Sequence, residues 1–94
     1  MGRPISSDLE RKSDTPLQAL GAAITDLRTK RGWGYQRVAH RVGCSEGYMN
    51  RIEHGKQNPS FDLLQAIAHL YGLKLSQLFA LAERKYERRG RKKK

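Results

Sequence analysis

From Leu17 onward the apolar residues keep a helical rhythm. Leu17, Leu20, Ile24 and Leu27, followed by Arg31, recur at steps of three or four, which puts them on one face of a 3.6-residue helix. Asp14 or Thr15 can cap that helix, and Pro16 suits its first turn, where a missing N–H costs no hydrogen bond. Gly32 and Gly34, either side of Trp33, end it. A second helix is predicted from about Tyr35 to Val42, with Val38, Ala39 and Val42 inward. Ser45 can cap a third, Glu46 to about His54, which turns Met49, Ile52 and Glu53 to one side and stops at Gly55. Lys56-Gln57-Asn58-Pro59 reads as a polar loop. Ser60 caps a fourth helix, Phe61 to Tyr71, with Leu64, Ile67, Ala68 and Tyr71 inward and Gly72 as its stop. A fifth begins near Leu75 and reaches toward Arg88. In it Leu75, Leu78, Phe79 and Ala82 form a stripe expected to close the core, and Leu81 falls off that stripe. No stretch alternates with a period of two, so the expected fold class is all-α, with five short helices.

Composition sets limits on this outline. Residues 1–15 mix Gly, Pro, Ser and charges without a period and read as a flexible arm, followed by a domain over 16–83 and a basic tail over 84–94. Hydrophobic residues make up 37% of the 94, enough for one modest core. Lys and Arg number 19 against 9 acids, a formal charge of +10, which favours an anionic polymer or surface as partner. The excess is uneven: residues 1–15 balance, residues 16–80 hold eight bases against four acids, and residues 81–94 hold eight against two.

Other classes are disfavoured. No run approaches the roughly 18 apolar residues of a membrane span. The opening Met-Gly-Arg-Pro-Ile-Ser-Ser lacks the apolar stretch of a secretory signal. Cys44 is the single cysteine; it gives neither a disulfide framework nor a metal site, reads as a small buried apolar residue, and suits a reducing cytoplasm. His40, His54 and His69 have no metal-like spacing. With no nucleophile–base pair, metal cluster or phosphate-cradling glycine loop, neither an enzyme nor a cofactor is expected.

The centre of the chain carries the sharper signal. Two short helices joined by Val42-Gly43-Cys44-Ser45 have the form of a helix-turn-helix. That motif needs a small residue on the inner face of its first helix (Ala39), a residue free to turn left-handed (Gly43), and apolar pins for its second helix (Val38, Cys44, Met49 and Ile52). Glu46, Gly47, Asn50 and Arg51 are left pointing outward, with Tyr48 beside them and its hydroxyl turned toward a phosphate backbone. An α-helix fits the major groove of duplex DNA, where outward polar side chains meet base edges.

Residues 17–79 resemble the lambda-repressor-like, Cro-type (XRE) helix-turn-helix family. The stretches that carry the likeness are 20–28 (Leu-Gly-Ala-Ala-Ile-Thr-Asp-Leu-Arg), 38–43 (Val-Ala-His-Arg-Val-Gly), 48–60 (Tyr-Met-Asn-Arg-Ile-Glu-His-Gly-Lys-Gln-Asn-Pro-Ser), 63–68 and 70–79. Within the family, Tyr-Met-Asn-Arg-Ile-Glu resembles the controller proteins of restriction–modification systems. The resemblance implies that Ser45, Glu46, Gly47, Asn50 and Arg51 face bases and that Lys56 and Asn58 belong to a phosphate-contacting loop. It also implies a structural ion pair between Arg28 and Glu53. The chain departs from the family where the second helix usually opens with a polar cap and a phosphate-gripping Gln. Here Gly34 and Tyr35 hold those positions, with Gln36 one step on, so a Tyr hydroxyl is the expected substitute.

The expected activity is that of a sequence-specific, duplex-DNA-binding transcriptional regulator. It would lay its recognition helix, about 46–54, in the major groove and act as a homodimer on a palindromic operator, paired through helix 5 at Leu81. Such a protein resides with the nucleoid. No ligand-binding domain follows residue 80, so a metabolite-sensing repressor is not expected. An antitoxin that binds a toxin and represses its own operon is the alternative. A toxin and RNA polymerase are the candidate protein partners, and no membrane is expected as one.

Overall fold

A computed structural model describes the backbone of residues 15–92 and the side chains of residues 15–86. The predicted arm, apart from Thr15, lies outside the described residues, as do the tail's side chains from Glu87 onward. The described chain folds into α1 (Pro16–Lys30), α2 (Tyr35–Val42), α3 (Glu46–Glu53), α4 (Phe61–Leu70) and α5 (Leu75–Lys92), an all-α arrangement in the lambda-repressor-like manner. Three N-termini carry the expected caps. Thr15 Oγ1 accepts from the Gln18 N–H, Ser45 Oγ from Tyr48 and Ser60 Oγ from Leu63, each at 3.1 Å. α2 has no side-chain cap, because Gly34 has no side chain to give.

The helices wrap one core. Ile24, Val38, Ala39, Met49, Ile52, Ile67 and Leu78 are wholly buried, so every helix contributes to it. Each of these side chains but that of Ala39 contributes about 1.5–3 kcal/mol on burial. α1 packs against α3 and α5, and α2 against α3 and α4, so α3 is held from two sides.

α5 departs from its predicted face. Leu78 and Ala82 enter the core as expected, but Phe79 is 38% exposed, and Leu81 packs against the core in its place. The reason is the position of α1. A groove of about 260 Å³ between the two helices is lined by Ala23, Asp26, Leu27, Lys30, Leu81, Arg84 and Lys85, which puts Leu81 on the side that α1 covers. α5 also continues past Arg88 to Lys92, and the Lys85 ammonium pairs with Asp26 of α1. The helix therefore runs unbroken across residues 83 and 84, and the tail begins inside a helix anchored to the domain. Among the described residues, no helix is long and apolar enough to cross a membrane.

Candidate nucleic-acid interface

The α2–α3 turn depends on one residue's backbone. Gly43 sits at φ 83°, where a β-carbon would strain, and the reversal lets the Cys44 N–H reach the Ala39 carbonyl at 2.9 Å. Ala39 is wholly buried, and its small side chain leaves room beside α3. Cys44 packs half-buried at the edge of the core, and that burial pushes its thiol pKa up, away from the reactive thiolate.

α3 is then fixed along its length. Met49 and Ile52 fill the core beneath it. At its C-terminal end, Arg28 grips Glu53 through two bonds, Nε to Oε2 at 2.7 Å and Nη2 to Oε1 at 2.9 Å. The two side chains are 16% and 4% exposed, so this is a bidentate, charge-assisted pair largely withdrawn from water. The hydrogen bond to Glu53 is also the main reason that the Arg28 pKa is raised. The same guanidinium donates from Nη1 to the Trp33 carbonyl at 2.8 Å. Trp33 stacks on Tyr71 with ring centroids 5.9 Å apart, and Arg31 lies over both rings. The ends of α1 and α4 are thereby tied to the end of α3.

A further contact was not foreseen from the residues. A β-carbon at Gly21 would stand 2.5 Å from the Ile52 carbonyl oxygen and 2.6 Å from that of Glu53. Gly21 is where the backbones of α1 and α3 touch. Its signal in the sequence is a glycine in mid-helix, which costs about 1 kcal/mol against alanine and so invites a packing reason.

The opposite face of α3 is open. Ser45, Glu46, Gly47 and Arg51 are exposed and Asn50 is half-exposed, so the residues aligned with base contacts run from the cap along one side of the helix to its last turn. Ser45 Oγ is engaged as the cap, which leaves its O–H as a donor. Tyr48 is half-buried at the margin, with Arg51 lying over its ring at 5.9 Å. α3 closes in a Schellman motif: Gly55, at φ 71°, donates to Ile52, and Lys56 donates to the Arg51 carbonyl at 2.8 Å. That closure puts the exposed Lys56 and Asn58 directly after the helix. At the start of α2, Tyr35 packs half-buried against the core, while Gln36 is exposed and folds its Oε1 back toward Gly34. The structure thus gathers the residues expected to face bases at the cap and on the open side of α3, with Lys56 and Asn58 following the helix, and puts Tyr35 and Gln36 at the start of α2. Gln57, not foreseen as a site residue, accepts a hydrogen bond from Arg51 Nε at 3.1 Å.

Residues 19–81 match the family described as helix-turn-helix domain. The chain belongs to the Cro-type (XRE) helix-turn-helix family. Family members named as regulators are similar to it in sequence. It is 33% identical over 64 residues to the competence pilus inhibition repressor of Acinetobacter baylyi, a match covering 68% of this chain and 58% of that repressor. It is 30% identical over 66 residues to the HTH-type transcriptional regulator PuuR of Escherichia coli, covering 70% of this chain and 36% of PuuR. The chain thus spans little more than half the length of one relative and about a third of the other. In fold it is similar to the clp gene regulator ClgR of Corynebacterium glutamicum, with a TM-score of 0.78 over 84% of each chain at 24% identity. A second ClgR structure gives a TM-score of 0.71 at 26% identity over 77% of this chain and 92% of that one.

Proposed function

We propose that the chain is a sequence-specific, duplex-DNA-binding transcriptional regulator that lays α3 in the major groove and acts as a homodimer on a palindromic operator. The observation that carries this reading is the immobilised α3. Met49, Ile52 and the Arg28–Glu53 pair hold one side, and Glu46, Gly47, Asn50 and Arg51 stand open on the other. Base readout needs donors and acceptors held in register with a groove, and a helix fixed this way supplies that register. Ser45, Glu46, Gly47, Asn50 and Arg51 are assigned to base edges. Tyr35, Gln36, Tyr48, Lys56 and Asn58 are assigned to phosphates. The formal charge of +10 supplies the sequence-independent attraction to the backbone. The relatives named as a repressor and a transcriptional regulator support the regulatory role.

For the dimer, the exposure of α5 moves the candidate contact from Leu81 to Phe79 and Tyr86. These are 38% and 42% exposed and seven residues apart, so they share one face of the helix. A two-fold pairing through that face is the proposed geometry, with recognition helices about 34 Å apart, one turn of DNA. A protein of this activity resides with the nucleoid.

Selection of bound sites from random duplex DNA tests the reading. The expected product is a palindromic motif with half-sites one helical turn apart, alongside a dimer at micromolar concentration in sedimentation. Recovery of no enriched motif, or equal retention by structured RNA across a salt titration, would overturn it.

A further inference from the structure

Two contacts converge on the Arg51 guanidinium, and its approach to Gly47 gives its direction. Gln57 Oε1 accepts from Nε at 3.1 Å, across the gap between α3 and the loop that follows it. The guanidinium carbon lies 5.9 Å from the centre of the Tyr48 ring. A β-carbon on Gly47 would stand 3.5 Å from Nη1, so the side chain lies folded back along α3 toward its first turn. Arg51 is exposed, and among the described residues no carboxylate pairs with it.

The chemistry of the fork gives these contacts a purpose. Guanidinium carries five N–H donors in one plane. Gln57 takes the donor on Nε and leaves the four on Nη1 and Nη2. An end-on bidentate contact to guanine O6 and N7 uses one donor from each of those nitrogens. A hydrogen bond at Nε therefore does not compete with base reading, and it fixes the plane and the reach of the remaining donors. The first turn of a recognition helix is the part that meets base edges, and Arg51 is folded toward that turn. A β-carbon at Gly47 would make only an ordinary contact with Nη1, so the guanidinium lies close over this position of the helix.

We propose that Gln57 is a positioning residue for Arg51, holding its guanidinium over Gly47 in the orientation that reads one guanine in each half-site. The proposal rests on the assignment of α3 as the DNA-reading helix and deepens it. Specificity then depends on a loop residue that contacts no base itself.

The test compares motifs selected from random duplex DNA by the full chain and by Arg51→Ala, Gln57→Ala, Gln57→Glu and the Arg51→Ala/Gln57→Ala double variant, with thermal unfolding of each. Arg51→Ala is expected to flatten a guanine at one position per half-site. Gln57→Ala lowers the preference for that same guanine about threefold to tenfold, the range one ordinary hydrogen bond supplies, and leaves other positions and the unfolding temperature unchanged. Gln57→Glu places a carboxylate that takes Nε and a terminal Nη donor together, so it also lowers the preference for that guanine and weakens binding to every duplex. In the Arg51→Ala background, removing the Gln57 side chain changes nothing further. If Gln57→Ala weakens all positions alike, Gln57 is a backbone contact and the proposal is overturned. It is equally overturned if the guanine preference survives Gln57→Ala while Arg51→Ala abolishes it. Failure of the reading beneath it looks different: the unaltered chain enriches no motif, or Arg51→Ala leaves the motif intact.

Discussion

α3 and α5 are both amphipathic helices, and they meet solvent in opposite ways. α3 is eight residues long, carries two carboxylates against one guanidinium, and is held by the core beneath it and an ion pair at its end. α5 is eighteen residues long, carries six bases against two acids, and enters the core through Leu78 and Ala82 before Lys85 reaches Asp26. The helix with the proposed reading face is therefore poor in positive charge, and much of the excess charge lies on α5. Phosphate attraction requires charge nearby, whereas base readout requires fixed geometry. On the proposed function this becomes a division of labour, with α3 selecting sequence and the end of α5 adding affinity without preference.

The largest effect expected from breaking this contrast is at the α3 anchor. Glu53→Ala leaves the partly buried Arg28 guanidinium without its carboxylate, and should lower stability by about 2–4 kcal/mol in urea unfolding. A variant that unfolds like the parent would show that α3 is held by its apolar contacts alone. Gly21→Ala should follow at about 2 kcal/mol, since its β-carbon would collide with two backbone carbonyls that cannot rotate away. The roughly 1 kcal/mol that alanine gains in helix propensity does not offset that collision. Equilibrium unfolding measures the destabilisation, and DNA affinity should fall with it as α3 shifts.

At the other helix, replacing Arg88, Arg89, Arg91, Lys92, Lys93 and Lys94 by Gln should weaken binding to every duplex alike. The slope of log affinity against log salt should flatten by about 0.9 for each phosphate that is no longer neutralised, with the selected motif unchanged. Neutralisation isolates charge better than truncation after Glu83, which would also remove Lys85 and its pair with Asp26. A motif that changes in this variant would give the tail a reading role and end the division. The smallest effect sharpens the picture at α3. Gly47→Ala places a β-carbon 3.5 Å from Arg51 Nη1, an ordinary contact, and should stabilise the chain by about 0.5–1 kcal/mol in thermal unfolding while keeping the guanine preference.

Much of this arrangement is legible in the residues alone. Helix positions, the three caps at Thr15, Ser45 and Ser60, and the left-handed turn at Gly43 follow from local chemistry, and local chemistry is what a sequence carries most directly. Phe79 and Leu81 exchange roles because periodicity identifies a stripe without saying which neighbour covers its edges. Only the placement of α1 beside Leu81 decides that. Gly21 stands out as an oddity in a helix, but its partner lies some thirty residues on, in α3. The outward face of α3 is readable from its period. The Arg51–Gln57 bond is not, because it depends on the path of the loop after Gly55. That Arg51 folds back over Gly47 is likewise visible only in three dimensions.

The proposed division between the helices turns on whether α3 occupies the major groove and reads guanine there. Dimethyl sulfate footprinting of the selected operator measures this, because the reagent methylates guanine N7 in that groove. One guanine in each half-site should be protected, the two about one helical turn apart, and the protection should disappear with Arg51→Ala while the complex still forms at low salt. Guanines that react equally with and without bound protein would contradict the placement of α3.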